Sequence, residues 1–129
     1  MFFRRQPFGG GFSIFAGLED LLTALEDFRF LPDDLEYLES LRTFEPDFLR
    51  YLENFRFSGD IYAAAEGTPV FPYEPIIRVH GNLIETQLIE SMLLNVVNFQ
   101  TLVATKSARI FLASGGGMIF EFGLRRAQG

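Results

Sequence analysis

The spacing of hydrophobic residues changes twice along the chain, and each spacing predicts a different kind of element. In residues 12–25 the apolar side chains recur at the three- and four-residue intervals of one helix face: Phe15, Leu18, Leu21, Leu22 and Leu25. Two shorter helices are predicted at residues 32–41 and 46–54, where a proline is followed by acidic residues. Proline is tolerated in a first helical turn, and acids there complement the helix dipole.

The middle of the chain carries short apolar segments separated by glycine and proline, a pattern typical of strands. Three such segments are residues 61–64, 69–71 and 76–80. Residues 83–113 then predict one long helix, or two joined end to end, on the order of 45 Å in length at 1.5 Å per residue. Glycines 115–117 end this helix, and the apolar residues 118–122 predict a final strand. Helices combined with a small antiparallel β unit make an α+β fold.

Polar residues fall on one side of the predicted long helix, at 100° per residue. They are Gln87, Ser91, Asn95, Asn98, Thr105 and Arg109. This side is either a solvated face or a polar seam against another domain or subunit. We favour the seam, because a helix that is apolar on most of its other sides must be largely buried.

Composition limits the classes of function. The 129 residues suffice for one domain with a core, 48% are hydrophobic, and 16 are Phe while none is Trp. A net charge of −6 argues against nucleic acid or an anionic membrane as partner. Acidic residues concentrate in residues 19–60, where 12 acids and 4 bases occur, and we interpret them as a solvated face. No cysteine is present, which excludes disulfides and thiolate metal sites and fits a cytoplasmic location.

Other candidate features favour structural roles. No apolar run approaches the roughly 18 residues that a membrane span requires, and no clustering of metal ligands is visible. His80 stands in an alternating strand without an acidic residue nearby in sequence, so we interpret it as an ordinary strand residue rather than a general base. The glycine runs 9–11 and 115–117 lack the Lys and Ser or Thr of a phosphate loop. We interpret the first run as a turn and the second as the end of a helix.

The sequence EFGLRRAQG, residues 121–129, turns abruptly basic after the last predicted strand. In α/β architectures, ligands gather beyond the carboxyl ends of strands. Arginine suits oxyanions because its planar fork of donors can bond them bidentately. By themselves Arg125 and Arg126 are either a solvated basic segment or a site for a phosphate or carboxylate.

Four segments in order resemble the nicotinate phosphoribosyltransferase family and cover nearly the whole chain. They are RQPFGGGF with AGLE (residues 5–12 and 16–19), NFRFSGDIY with EGTPVFP (54–62 and 66–72), ETQLIE with NFQT and ATKSAR (85–90, 98–101 and 104–109), and EFGLRRAQG (121–129). The resemblance implies a hammerhead-like N-terminal domain of a type II phosphoribosyltransferase over residues 1–115. Residues 116–129 would then be the first strand of a truncated catalytic α/β barrel.

The resemblance also implies roles for individual residues. Arg125 would bind the phosphate or carboxylate of a substrate, and Phe122 would stack on the pyridine ring. A turn after Gly123 would let these two side chains converge, and Arg126 would be a second phosphate contact or a structural ion pair. The family's phosphorylated histidine lies in the barrel, so no catalytic residue and no metal ligand is expected in this chain.

The activity that the resemblance implies is transfer of phosphoribose to nicotinate, giving nicotinate mononucleotide and pyrophosphate for NAD salvage. ATP hydrolysis would drive it, magnesium would arrive with phosphoribosyl pyrophosphate, and the enzyme would be a cytoplasmic homodimer. The isolated chain is expected to be inactive and to bind no cofactor alone. Two alternatives stay open: a non-catalytic assembly or dimerisation module, and a nicotinamide-specific enzyme. The second arginine, Arg126, favours nicotinate over nicotinamide, because it suits a carboxylate.

Overall fold

A computed structural model describes residues 1–123 and residue 125. A short 3-10 turn, Pro7–Gly9, precedes four strands and four helices. In chain order these are β1 (Ser13–Ile14), α1 (Leu18–Asp27), α2 (Pro32–Ser40), α3 (Pro46–Glu53), β2 (Asp60–Ala63), β3 (Pro69–Val70), β4 (Ile77–His80) and α4 (Leu83–Ala113). The predicted α+β class is confirmed.

The strands form two separate antiparallel pairs rather than one β unit. Strand β1 pairs with β3, with Ser13 opposite Val70. Strand β2 pairs with β4, with Asp60 opposite His80. Met1 lies beside β4, where its carbonyl accepts a hydrogen bond from the backbone N–H of Ile76 at 3.0 Å.

The helix predicted over residues 12–25 is wrong in its first six residues. Residues 12–17 are not helical, and α1 begins only at Leu18. Ser13 and Phe15 are both fully buried, which is the period-two burial of a strand rather than the period of a helix. The backbone N–H groups here bond to α4 and to the β2–β3 turn, and these distant acceptors replace the local helical ones.

The helix α4 has the bounds that the sequence predicts. Its N-cap is Asn82, whose side chain accepts a hydrogen bond from the backbone N–H of Glu85 at 2.9 Å, a standard way to satisfy an unpaired first-turn donor. Its buried residues recur every four positions: Glu85, Ile89, Leu93, Val97, Thr101 and Thr105. Such a row is a single ridge on one side of the helix, so most of the helix surface is left uncovered.

The hydrophobic core lies between α4, α1 and the strands. Phe15, Leu21, Ile76 and Val97 are among its buried members. A second centre forms where the rings of Phe28 and Phe30 meet Phe55 edge-on at 5.5 and 5.9 Å between centroids, a favourable aromatic geometry. In α3, Tyr51 packs against this core and Leu52 is buried. The helix α2 buries no residue, in agreement with the predicted solvated acidic face.

The strand predicted over residues 118–122 is not observed. These residues have no regular secondary structure and are exposed. A strand is defined by hydrogen bonds to a neighbouring strand, and the described part of the chain provides no such neighbour for this segment.

Candidate functional site

The long helix α4 positions the segment that carries the predicted site, and two threonines fix it to β1. The backbone N–H of Ile14 donates to the Thr105 hydroxyl at 2.9 Å. The Ala16 N–H donates to the Thr101 hydroxyl at 3.2 Å, and that hydroxyl donates back to the Ala16 carbonyl at 3.2 Å. The strand β1 pairs with β3 along one edge. Along its other edge, threonine side chains of α4 accept the hydrogen bonds that a second strand would accept.

The predicted polar seam on α4 divides into two parts. Thr105 is buried and Arg109 half-buried, and both contact the segment before α1. Four other members of the set are exposed: Gln87, Ser91, Asn95 and Asn98. No described residue covers these four, so the expectation that another domain or subunit contacts them stays a prediction.

Large apolar side chains are exposed along the C-terminal half of α4 and in the segment after it. On the helix they are Leu102, Val103, Ile110, Phe111 and Leu112, and after it Met118, Ile119, Phe120 and Phe122. Within this set Met118 is 83% exposed and Phe122 89%. A concentration of exposed large apolar side chains is typical of an interaction surface. We call this set the apolar surface.

The candidate site residues follow directly on the apolar surface. Phe122 and Arg125 are exposed, and Gly123 is half-buried. The backbone N–H of Gly123 donates to the carboxylate of Glu121, and the turn expected after Gly123 stays a prediction. Arg126 lies outside the described residues. The assignment of Phe122 and Arg125 to a ligand stays a prediction.

Two structural pairings have no signal in the local sequence. The carboxylate of Glu66, in the β2–β3 turn, accepts hydrogen bonds from the backbone N–H groups of Gly17 and Leu18, the latter at 2.8 Å. It thus caps α1 from 48 residues away.

Asp60 lies opposite His80, with 3.8 Å between the carboxylate oxygen and Nδ1. His80 is exposed on this strand, so its interpretation as an ordinary strand residue holds, although an acidic neighbour is present.

Among residues 1–123 and 125, no group of three or more His, Cys, Asp or Glu side chains could hold a metal ion. The exposed acids of residues 19–60 are therefore not assembled into a cation site within that part of the chain.

One helix, α4, is long and apolar enough by composition to cross a membrane. The helix contains no uninterrupted apolar run of that length, and it qualifies because its scattered polar residues leave its mean hydropathy high. Its buried ridge packs on the core, and Thr101 and Thr105 bind the backbone of residues 14–16. In this structure α4 contributes one buried ridge to the core.

The fold and the apolar surface together define an α+β domain of the kind that forms part of a larger protein. The sequence model of the nicotinate phosphoribosyltransferase (NAPRTase) N-terminal domain matches residues 1–98. The chain therefore belongs to the family of nicotinate phosphoribosyltransferase N-terminal domains.

Relatives extend the similarity to the whole chain. A nicotinate phosphoribosyltransferase of Bacillus subtilis is 50% identical over 128 residues, which cover 99% of this chain and 26% of the relative. Nicotinate phosphoribosyltransferase pncB2 of Mycobacterium tuberculosis is 44% identical over 129 residues, which cover 100% of this chain and 28% of the relative. The chain thus spans about a quarter of the length of these relatives.

The fold is also similar to a solved structure. The crystal structure of human nicotinic acid phosphoribosyltransferase superimposes with a TM-score of 0.89 at 40% sequence identity, over 99% of this chain and 26% of the human chain. The resemblance that the four sequence segments indicate is confirmed at the level of the fold.

Proposed function

We propose that the chain is the N-terminal part of an enzyme that joins nicotinate to phosphoribosyl pyrophosphate. The products would be nicotinate mononucleotide and pyrophosphate, within NAD salvage. The observation that carries this proposal is the alignment of the whole chain with about a quarter of each of several nicotinate phosphoribosyltransferases. The relatives named above act on the acid according to their names, which favours nicotinate over nicotinamide.

We assign Arg125 to the binding of an anionic group of the substrate, either a phosphate or the carboxylate. Arg125 is exposed two residues after Gly123. A guanidinium keeps its charge at any physiological pH and can bond two oxygens at once. A fixed positive charge also stabilises negative charge as it develops on a leaving pyrophosphate. Arg126 follows in sequence as a second candidate for phosphate.

Phe122 is the candidate for stacking on the pyridine ring. Its side chain is 89% exposed, which is unfavourable for a Phe unless a ligand or another part of the protein covers it. An aromatic ring three residues before a cationic side chain in sequence offers one partner for each part of nicotinate, a flat ring and a carboxylate.

The cofactor and partners of the complete enzyme follow from the family resemblance. ATP hydrolysis would drive the reaction, and magnesium would enter with phosphoribosyl pyrophosphate. The described residues offer no cluster of metal ligands, so this part of the chain is not assigned a magnesium site. A cytoplasmic homodimer is the proposed assembly, with neither nucleic acid nor a membrane as partner.

A non-catalytic assembly or dimerisation module is the second candidate function. The apolar surface favours it, since Phe111, Leu112, Met118 and Phe120 are each more than half exposed. Both functions require another protein surface, and they differ in whether the complete protein turns over substrate.

The test is to assay the full-length enzyme that contains this domain for nicotinate mononucleotide formation, with nicotinamide as the competing substrate and with ATP present or omitted. Arg125→Ala should raise a substrate KM by about 10- to 100-fold, the effect of losing one or two hydrogen bonds to a charged group. Arg42→Ala, which removes an exposed arginine after α2, is the matched control. Absence of turnover by the full-length protein would leave the assembly module as the function.

A further inference from the structure

The turn Pro7–Gly9 holds an aromatic residue in a backbone conformation that L-residues seldom adopt. Phe8 has φ 59° and ψ 22°. For a bulky side chain this left-handed region is an outlier, and it persists only where the surroundings hold it. The Phe8 side chain is 51% exposed, so burial in the core does not account for its conformation.

Arg109 of α4 makes two contacts with this turn and lies close to Gly10, which follows it. Its Nη1 donates to the carbonyl oxygen of Phe8 at 3.3 Å. Its guanidinium carbon lies 5.6 Å from the centroid of the Phe8 ring, within the range of a cation–π interaction. A Cβ added to Gly10 would come within 2.5 Å of the same Nη1, so the guanidinium occupies the space that a side chain at position 10 would need.

Arg109 also makes the last hydrogen bond between α4 and the rest of the domain among the described residues. Every residue from 110 to 122 is exposed. Beyond the helical ladder, the hydrogen bonds of residues 110–123 within the described part of the chain have partners in the same segment. Arg109 is therefore the hydrogen-bonded anchor that stands nearest in sequence before the segment with Phe122, Gly123 and Arg125.

We infer that Arg109 is a positioning residue for this anion-binding segment. By clamping the end of α4 onto the turn Pro7–Gly9, it fixes where Arg125 meets the phosphate or carboxylate of the substrate. The inference rests on the proposed function of Arg125. Because Arg109 acts on the placement of a binding group and touches no reacting atom, its loss should affect substrate binding more than turnover.

The experiment compares Arg109→Ala, Arg109→Lys, Gly10→Ala and the Arg109→Ala/Gly10→Ala double variant in the full-length enzyme. Arg109→Ala should raise the KM that Arg125→Ala raises by about tenfold, as for one charge-assisted hydrogen bond, with kcat within about twofold of wild type. Arg109→Lys keeps the charge and a donor and should restore part of the affinity.

Gly10→Ala tests the same clamp without touching the arginine. The added methyl group would displace the flexible guanidinium, so KM should rise in the same direction. The double variant should be no worse than Arg109→Ala alone, because both changes remove one shared interaction. Lys106→Ala removes a positive charge from an exposed position on the same helix and should leave KM unchanged. Additive effects, or an equal rise for Lys106→Ala, would overturn the inference.

Hydrogen–deuterium exchange of residues 7–11 in the same variants separates this inference from the proposed function. Faster exchange in Arg109→Ala together with the raised KM supports the clamp and its positioning role. Unchanged exchange overturns the clamp, and faster exchange with an unchanged KM overturns the positioning role. Wild-type enzyme that forms no nicotinate mononucleotide would refute the proposed function, whatever the exchange data show.

Discussion

The Thr105 hydroxyl lies 2.9 Å from the backbone nitrogen of Ile14, to which it is hydrogen-bonded across 91 residues of sequence. The same hydroxyl donates to the Thr101 carbonyl at 2.6 Å, so both its donor and acceptor capacities are used. A buried backbone N–H needs an acceptor, and a threonine on α4 provides one on the side of β1 that has no neighbouring strand.

Replacing Thr105 by valine should destabilise the domain by about 1–3 kcal/mol, the cost of leaving a buried donor unsatisfied while the shape of the side chain is kept. Urea denaturation of the purified chain, followed by circular dichroism, measures the change. Thr23→Val, at an exposed position of α1, is the control and should stay within about 0.5 kcal/mol of wild type. Equal stabilities of the two variants would show that the Thr105 hydroxyl is not needed by β1.

Gly17 should not tolerate alanine. It has φ 99°, and an added Cβ would lie 3.2 Å from the Cβ of Gln100 and 3.3 Å from the Val96 carbonyl oxygen. The left-handed conformation alone costs an L-residue roughly 1–2 kcal/mol, and the contact with α4 adds to it. We expect Gly17→Ala to lower the free energy of unfolding by at least that amount.

The matched control for Gly17→Ala is Gly11→Ala. An added Cβ at Gly11 meets nothing within 4 Å, and its φ lies outside the left-handed region. Alanine there should be neutral or slightly stabilising, because it restricts the unfolded chain. A loss of stability at Gly11 as large as that at Gly17 would contradict the explanation.

Glu85 is a buried carboxylate held by donors rather than by a cation. It is 5% exposed, and it accepts hydrogen bonds from the Ser58 backbone N–H at 2.7 Å, from the Ser58 hydroxyl and from the Asn82 amide. Glu85→Gln would turn an amide donor toward these donors and should cost about 1–3 kcal/mol of stability. Glu90→Gln, exposed on the same helix, should have little effect in the same denaturation assay.

The helices α2, α3 and α4 could be predicted from the sequence because their signals are local. Pro32 and Pro46 start two of them, and glycines follow the last. The strand β1 could not, because its stability depends on Val70, Thr101 and Thr105, which are distant in sequence. Phe15 lies at helical spacing from the leucines of α1, so the sequence pattern predicts a helix that includes it. In the structure Phe15 belongs to the extended segment before α1.

The candidate site could be predicted only as a set of residue types. Arg125 and Phe122 have side chains suited to an anion and to a flat ring, and this can be read from the sequence. A strand at residues 118–122 would need a neighbouring strand to pair with, and the described residues provide none. Arg109 was assigned to a polar face by its spacing, whereas its contact with Phe8 depends on a turn 101 residues earlier.

The apolar surface predicts that the isolated 129-residue chain associates with itself. Exposed Phe111 and Phe120 lie on or just after α4, and an unpaired apolar segment next to them is a template for pairing with another copy. The weight-average mass from sedimentation should rise with concentration, and the Phe111→Glu/Phe120→Glu double variant should shift it toward the monomer. Tyr37→Glu, at an exposed aromatic position in α2, should leave association unchanged. A wild-type chain that stays monomeric at every concentration would mean that this surface does not drive assembly and would weaken the module hypothesis.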